Sequence, residues 1–186
     1  MTNKPQAASE KGMDFNDIPQ FPHAHYEIDV FWTYLEEHIQ HQTEERVAPL
    51  DLEPDFQRAH VWTEAQQVAY VEYALRGGEV GRNLTFNCPG WGRDYRGPYT
   101  IVDGKQRLEA VRKFLRNDLR VFGHRYKEFT GKLRTLSHTF KWRVCSLKTR
   151  DEVLDLYLGI NAGGTPHTAE EITRVQNLKG KSTSKP

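Results

Sequence analysis

The sequence predicts an α+β fold, a small mixed sheet with helices packed on it. Three observations carry this. Short strand-like apolar runs at 84–87, 99–102 and 140–145 are interleaved with helical periodicities, so neither element type forms a separate block. Gly, Pro and Asn-Asp fall where those runs stop. With 186 residues, 37% hydrophobic and 11% aromatic, the chain is long enough to bury one core and too aromatic to be disordered.

The elements follow in order. Residues 1–24 are rich in Pro, Gln, Ala, Ser and Asn and read as a flexible tail, as do residues 179–186. Residues 25–178 form a single domain. Apolar residues at Val30, Phe31, Tyr34, Leu35 and Ile39 predict a helix over 29–42. A short extended piece at 50–53 stops at Pro54, since the residue before a proline is biased away from the helix. Thr63 opens a helix, with Gln66 at capping-box spacing and Val68, Val71, Ala74 and Leu75 as its buried stripe. Gly77 and Gly78 end it. The strand at 84–87 is followed by the loop CPGWGRDYRGP, and the strand at 99–102 runs into Asp103-Gly104. A helix then presents Leu108, Val111, Phe114 and Leu115 on one face and breaks at Asn117-Asp118. Residues 119–122 and 140–145 read as extended. A helix over 151–160 turns Val153, Leu154, Tyr157 and Leu158 inward, and Thr168 caps a last helix with Glu171 three residues on.

Several function classes are excluded or disfavoured. No apolar run approaches the roughly 18 residues that cross a bilayer, and the first residues lack a signal-peptide core. Only Cys88 and Cys145 are present, too few for a disulfide framework or a cysteine-built zinc site, so a reducing, cytoplasmic location is expected. The pairs His23/His25 and His38/His41 lack matching carboxylates for a metal site.

The net charge of +1 hides an asymmetry. Residues 1–100 hold 8 Lys/Arg against 16 Asp/Glu, whereas residues 101–150 hold 14 against 4. A segment of +10 invites a polyanion, or it pairs with the acidic half of the same fold. The strongest local motif opens that segment: TIVDGKQRLEAVRKFL, residues 100–115. A strand delivers Asp103 and Gly104 to the start of a helix, where free N–H groups point outward with partial positive charge. Gly104 permits close approach, Lys105 supplies a point charge and Arg107 a two-pronged grip, a recipe for holding phosphate. Asp103 serves as an N-cap, a Mg²⁺ ligand or an orienter of an arginine. The alternative is a well-capped amphipathic helix with a solvated basic face. A second stretch, PDFQRAHVW, sets Gln57 and Arg58 between Phe56 and Trp62. A third, LGINAGGTPHTAEEI, puts Asn161 before a glycine pair.

Together these stretches resemble the DGQQR-motif domain family, the N-terminal part of GmrSD-type modification-dependent restriction enzymes, within the ParB/sulfiredoxin-like superfamily. VDGKQRLEAV resembles the D-G-Q-Q-R-L motif. The upstream P…Q-R…W stretch is matched by Pro54, Gln57, Arg58 and Trp62. The downstream I-N-x-x-G-T-P stretch is matched by Ile160, Asn161, Gly164, Thr165, Pro166, Thr168 and Glu171. The resemblance implies a ParB/sulfiredoxin-like core that binds a nucleoside triphosphate, with hydrolysis and DNA nicking in some members and roles in phage–host or restriction-type defence. Residue by residue, Asp103, Gly104, Lys105, Gln106 and Arg107 would form the phosphate side. Gln57 and Arg58 would lie across the cleft and Asn161 would close its rim. Asp103 and Arg107 would be catalytic, and Asp103 would be the Mg²⁺ ligand. Lys105 departs from the motif, replacing its first Gln. The restriction enzymes also carry a second nuclease domain, so cleavage here is expected from the core itself or from a separate nuclease partner. A non-catalytic DNA-binding or protein-interaction module, such as one bound to a host protein, is the other expectation. In it the basic run would track phosphates while Tyr126, Phe129, Phe140 and Trp142 stack bases.

Overall fold

A computed structural model of the chain describes residue 18 and residues 24–44, 49–57, 62–133, 138–161 and 169–179. Five strands, β1 (Tyr26–Phe31), β2 (Leu50–Asp51), β3 (Asn83–Asn87), β4 (Tyr99–Asp103) and β5 (Thr139–Cys145), form one sheet in the order β1-β5-β3-β4-β2. The β1/β5 and β3/β4 pairs are antiparallel, and β3/β5 and β2/β4 are parallel. The helices are α1 (Leu35–Glu44), α2 (Glu64–Leu75), α3 (Lys105–Leu115), α4 (Arg150–Asn161) and α5 (Ala169–Gln176). The expected α+β class with a mixed sheet is what the chain forms.

Strand alternation sorts the core onto two faces. Val30, Leu84, Phe86, Tyr99, Ile101, Phe140, Trp142 and Val144 pack with α1, α2 and α3. Val102 and Cys145 point the other way, against Phe56, α4 and α5. Towards β1 that second face carries Lys141 and Arg143, paired with Glu27 and Asp29 across the ladder. Trp142 stacks on Phe86 with centroids 3.9 Å apart and donates from Nε1 to the Tyr99 hydroxyl at 2.7 Å. Phe140 and Trp142 are therefore core residues and stack no base, a correction of the sequence expectation.

Two further expectations are corrected. The helix predicted over 29–42 is instead strand β1, a 3-10 turn at Trp32–Tyr34, and then α1. Ile28 and Val30 alternate with Glu27 and Asp29, and pairing with β5 overrides the helical reading of the same apolar residues. The extended piece predicted over 119–122 is a tight turn. Val121 and His124 exchange both backbone hydrogen bonds, at 2.8 and 3.0 Å, around Phe122 and Gly123, both at positive φ. The capping box at Thr63 and Gln66 forms as expected, and Gly77 closes α2 at φ 89°. Residues 1–17, 19–23 and 180–186, which make up nearly all of both expected tails, and Thr168 lie outside the described residues.

Candidate functional site

β4 and β2 run parallel, and β3 runs against them, so Asp103, the residues after Asp51, and Asn83 meet at one end of the sheet. Ligands of open sheets favour the carboxyl ends of strands. Gly104 joins β4 to α3 at φ 98°, with no side-chain cap. It is buried, and a Cβ there would overlap the Leu84 side chain. Only glycine meets both demands.

The motif side chains leave this turn in different directions. Arg107 donates from Nη2 to Asp103 Oδ2 at 2.7 Å and to the Asn83 carbonyl at 2.9 Å. Of the three roles open to Asp103, the structure shows orienter of an arginine. The pair is 22% and 20% exposed, so it is accessible from one side. Arg107 Nε is buried without a hydrogen-bond partner, and its chain packs on Gly81 and Tyr70. Burial pushes the Tyr70 hydroxyl pKa up, by more than the charges of Arg107 and Arg82 lower it. Tyr70 donates to the Gly81 carbonyl at 2.9 Å and braces this wall.

Lys105 is only 8% exposed and pairs with Glu53. Residues two apart on a helix do not share a face, so Lys105 and Arg107 do not converge on one phosphate. Lys105 instead faces a cavity of about 230 Å³ that also holds Glu53, Glu109, Arg112 and Lys113. Gln106 Oε1 accepts from the Trp62 N–H at 3.1 Å, tying α3 to the segment that enters α2. Gln57 Nε2 donates to the Val102 carbonyl at 2.7 Å and the Ile101 carbonyl at 3.3 Å, just past the point where β2 stops. Gln57 thus substitutes for the strand residues that β2 lacks. Arg58, the side chain of Asn161, residues 162–168 and the side chain of Glu171 lie outside the described residues.

The structure brings Gln57, Asp103, Gly104, Gln106 and Arg107 to one end of the sheet, on supports for which the sequence carries no signal. Asn83, whose carbonyl accepts from Arg107, is the first residue of the central strand β3, and a backbone carbonyl carries no sequence signal. The Pro54–Gln57 segment is fixed by Arg174, which donates to the Asp55 and Phe56 carbonyls at 2.9 and 2.7 Å. Arg150 adds to this by binding both Asp55 carboxylate oxygens, at 2.8 and 2.7 Å. Both arginines belong to C-terminal helices nearly 100 residues or more away, a separation no local pattern signals.

The bond to Arg107 engages Asp103 Oδ2, so Oδ1 is the oxygen that would meet a Mg²⁺ ion held mainly by a ligand's phosphates. Among the described residues no group of three or more His, Cys, Asp or Glu could hold a metal. None of the described helices is long and apolar enough to cross a membrane. Comparison with protein-family models, with curated proteins and with solved structures gives no match.

Proposed function

We propose that the chain is a nucleotide-binding domain of the ParB-like kind, which holds a phosphate group against Arg107 at the opening turn of α3. The observation that carries this reading is the state of that guanidinium. Asp103 and the Asn83 carbonyl aim it through Nη2, its Nη1 has no partner among the described residues, and it stays partly exposed at the carboxyl end of β4. An arginine held in place by a carboxylate loses little freedom on gripping an anion. Gly104, packed against Leu84 at positive φ, fixes the turn from which Arg107 projects. Gln57 and Gln106 support the reading as braces of the turn, and Lys105 as a separate charge one cavity away.

The reading is one of binding first. In any turnover, Arg107 would stabilise charge developing on the phosphoryl oxygens, and Asp103 would act by positioning Arg107. DNA nicking and a place in phage–host or restriction-type defence belong to the same proposal as its biological setting.

A thermal-shift screen of the four ribonucleoside triphosphates, each with and without Mg²⁺, tests it. A ligand at 100 times its dissociation constant adds about 2.7 kcal/mol. Arg107→Ala is expected to abolish the shift while the protein still melts cooperatively. Asp103→Asn is expected to keep binding, because it removes a negative charge beside the phosphate. An Arg107→Ala protein with an unchanged shift, or a wild type that responds to no nucleotide, would refute the proposal. A supercoiled-plasmid assay on the same proteins reads nicking.

A further inference from the structure

The carboxyl end of α3 holds a second cavity, about 510 Å³, which the proposed nucleotide site does not use. Phe114, Phe122, Tyr126 and Phe129 wall it, and His138 lies at its floor, 3.3 Å from the Leu75 carbonyl. Phe114 meets Tyr126 edge-on at 5.4 Å and Phe129 edge-on at 5.7 Å, so the three rings form one cluster anchored by the buried Phe114. Phe122 and Phe129 are 38% and 39% exposed. Lys127 and Lys132 stand at the rim, and no described residue accepts from either ammonium. No carboxylate lines the cavity among the described residues. The surrounding stretch, residues 112–132, carries seven Lys/Arg against two Asp/Glu.

Phe122 adds an independent observation. It sits at φ 51° in the first position of a two-residue turn with Gly123 at φ 78°. That turn prefers Asn, Asp or Gly, and a bulky side chain at positive φ is strained. The ring lies under Arg76, whose guanidinium carbon is 5.1 Å from its centroid. A turn that would fold more easily with asparagine instead presents an aromatic ring to a basic cavity. Strain of this kind collects at functional positions. The cavity of similar size at the opposite end of the sheet lacks this character: Arg150 there is held by Asp55, and Lys148 by the Pro89 carbonyl.

We infer that this cavity takes an unstacked base of a single-stranded nucleic acid, with Lys127 and Lys132 on the flanking phosphates. Aromatic faces stack any base, and unpaired lysines supply the salt-dependent grip. The site lies about 15 Å along α3 from Gly104, at 1.5 Å per residue, and does not depend on the nucleotide proposal.

Fluorescence anisotropy with a labelled oligothymidylate tests it, titrated from 50 to 200 mM salt. Phe122→Asn relieves the backbone and removes the ring. It is expected to weaken binding about tenfold or more with no fall in melting temperature. The double substitution Lys127→Ala, Lys132→Ala is expected to lower the slope of log affinity against log salt by about 1.4. Three outcomes would overturn the inference: unchanged affinity in Phe122→Asn, equal affinity for an abasic strand, or thymidine monophosphate competing as well as the oligonucleotide.

Discussion

At the amino end of α3 the charged side chains have internal partners: Asp103 holds Arg107, and Glu53 holds Lys105. At the carboxyl end, Lys127 and Lys132 stand at an aromatic cavity with none among the described residues, beside a phenylalanine in a left-handed turn. Both ends belong to the basic segment, and formal charge does not distinguish them. The difference is local geometry. Asp103 lies four positions before Arg107 and Glu53 lies beside the strand exit, so both cations are paired. In the loop, Glu128 is taken by Arg120 and the Arg125 N–H, which leaves Lys127 and Lys132 with no carboxylate among the described residues. A basic stretch therefore says less about a polyanion than the positions of its unpaired members do.

The largest expected effect probes the amino end. Gly104→Ala combines a positive φ with overlap against Leu84. Backbone strain of about 1–2 kcal/mol and overpacking of about 1–3 kcal/mol suggest a loss of about 2–5 kcal/mol in urea denaturation. A loss below about 1 kcal/mol would mean the turn relaxes easily, and the rigidity assigned to it would be wrong.

Gln57→Ala comes next. It removes the donor that satisfies the β4 carbonyls beyond β2. A loss of about 1–2 kcal/mol is expected, because part-buried acceptors are left unpaired. Full stability in this variant would show that water replaces the amide and that Gln57 is available to a ligand.

These two residues also show how far the sequence could be read. The strand–Asp–Gly–helix pattern placed Gly104 correctly, because glycine at a strand-to-helix corner has a backbone cause that is local. Gln57 was recognised as a polar residue held between aromatics, but its partners lie 44 and 45 positions away. Those partners are backbone carbonyls, which carry no sequence signal. The strand β1 was misread because Val30, Phe31, Tyr34 and Leu35 satisfy a helical period, and only pairing with β5, more than 100 residues on, decides between the two. By charge alone the basic segment suits either an outside polyanion or the acidic half of the fold. Pairs such as Arg112 with Glu36 and Arg150 with Asp55 show the second at work over much of it.

At the carboxyl end, Phe122→Asn and Phe122→Ala separate strain from contact. Both lose the ring and its position under Arg76, but only asparagine suits the positive φ. Phe122→Asn is expected to be more stable than Phe122→Ala by about 1 kcal/mol. Equal stabilities would show that the turn does not enforce the angle.

The smallest effect concerns the acid that joins the two ends. Glu36 on α1 accepts from Arg112 at 2.7 Å and from Arg116 at 2.8 Å, which takes two cations out of the basic surface. Burial alone would push its pKa up, but the hydrogen bonds and charges of Arg112 and Arg116 outweigh that and hold it below the ordinary 4.5. A carboxyl depressed in the folded state contributes stability above its unfolded pKa and loses it as pH falls through the folded value. The contribution is therefore full at pH 7 and starts to fall once pH drops below about 4.5. Because Glu36 is 40% exposed, it amounts to at most about 1 kcal/mol. Urea denaturation of the wild type and Glu36→Gln should differ at pH 7 and converge as pH falls below 4.5 through the lowered folded value. The same substitution frees Arg116 and leaves Arg112 with Glu109 alone, so it should steepen the salt dependence of oligonucleotide binding. An unchanged slope would mean that the cations count only where the aromatic cavity is, which would confine the nucleic-acid contact to the loop of Lys127 and Lys132.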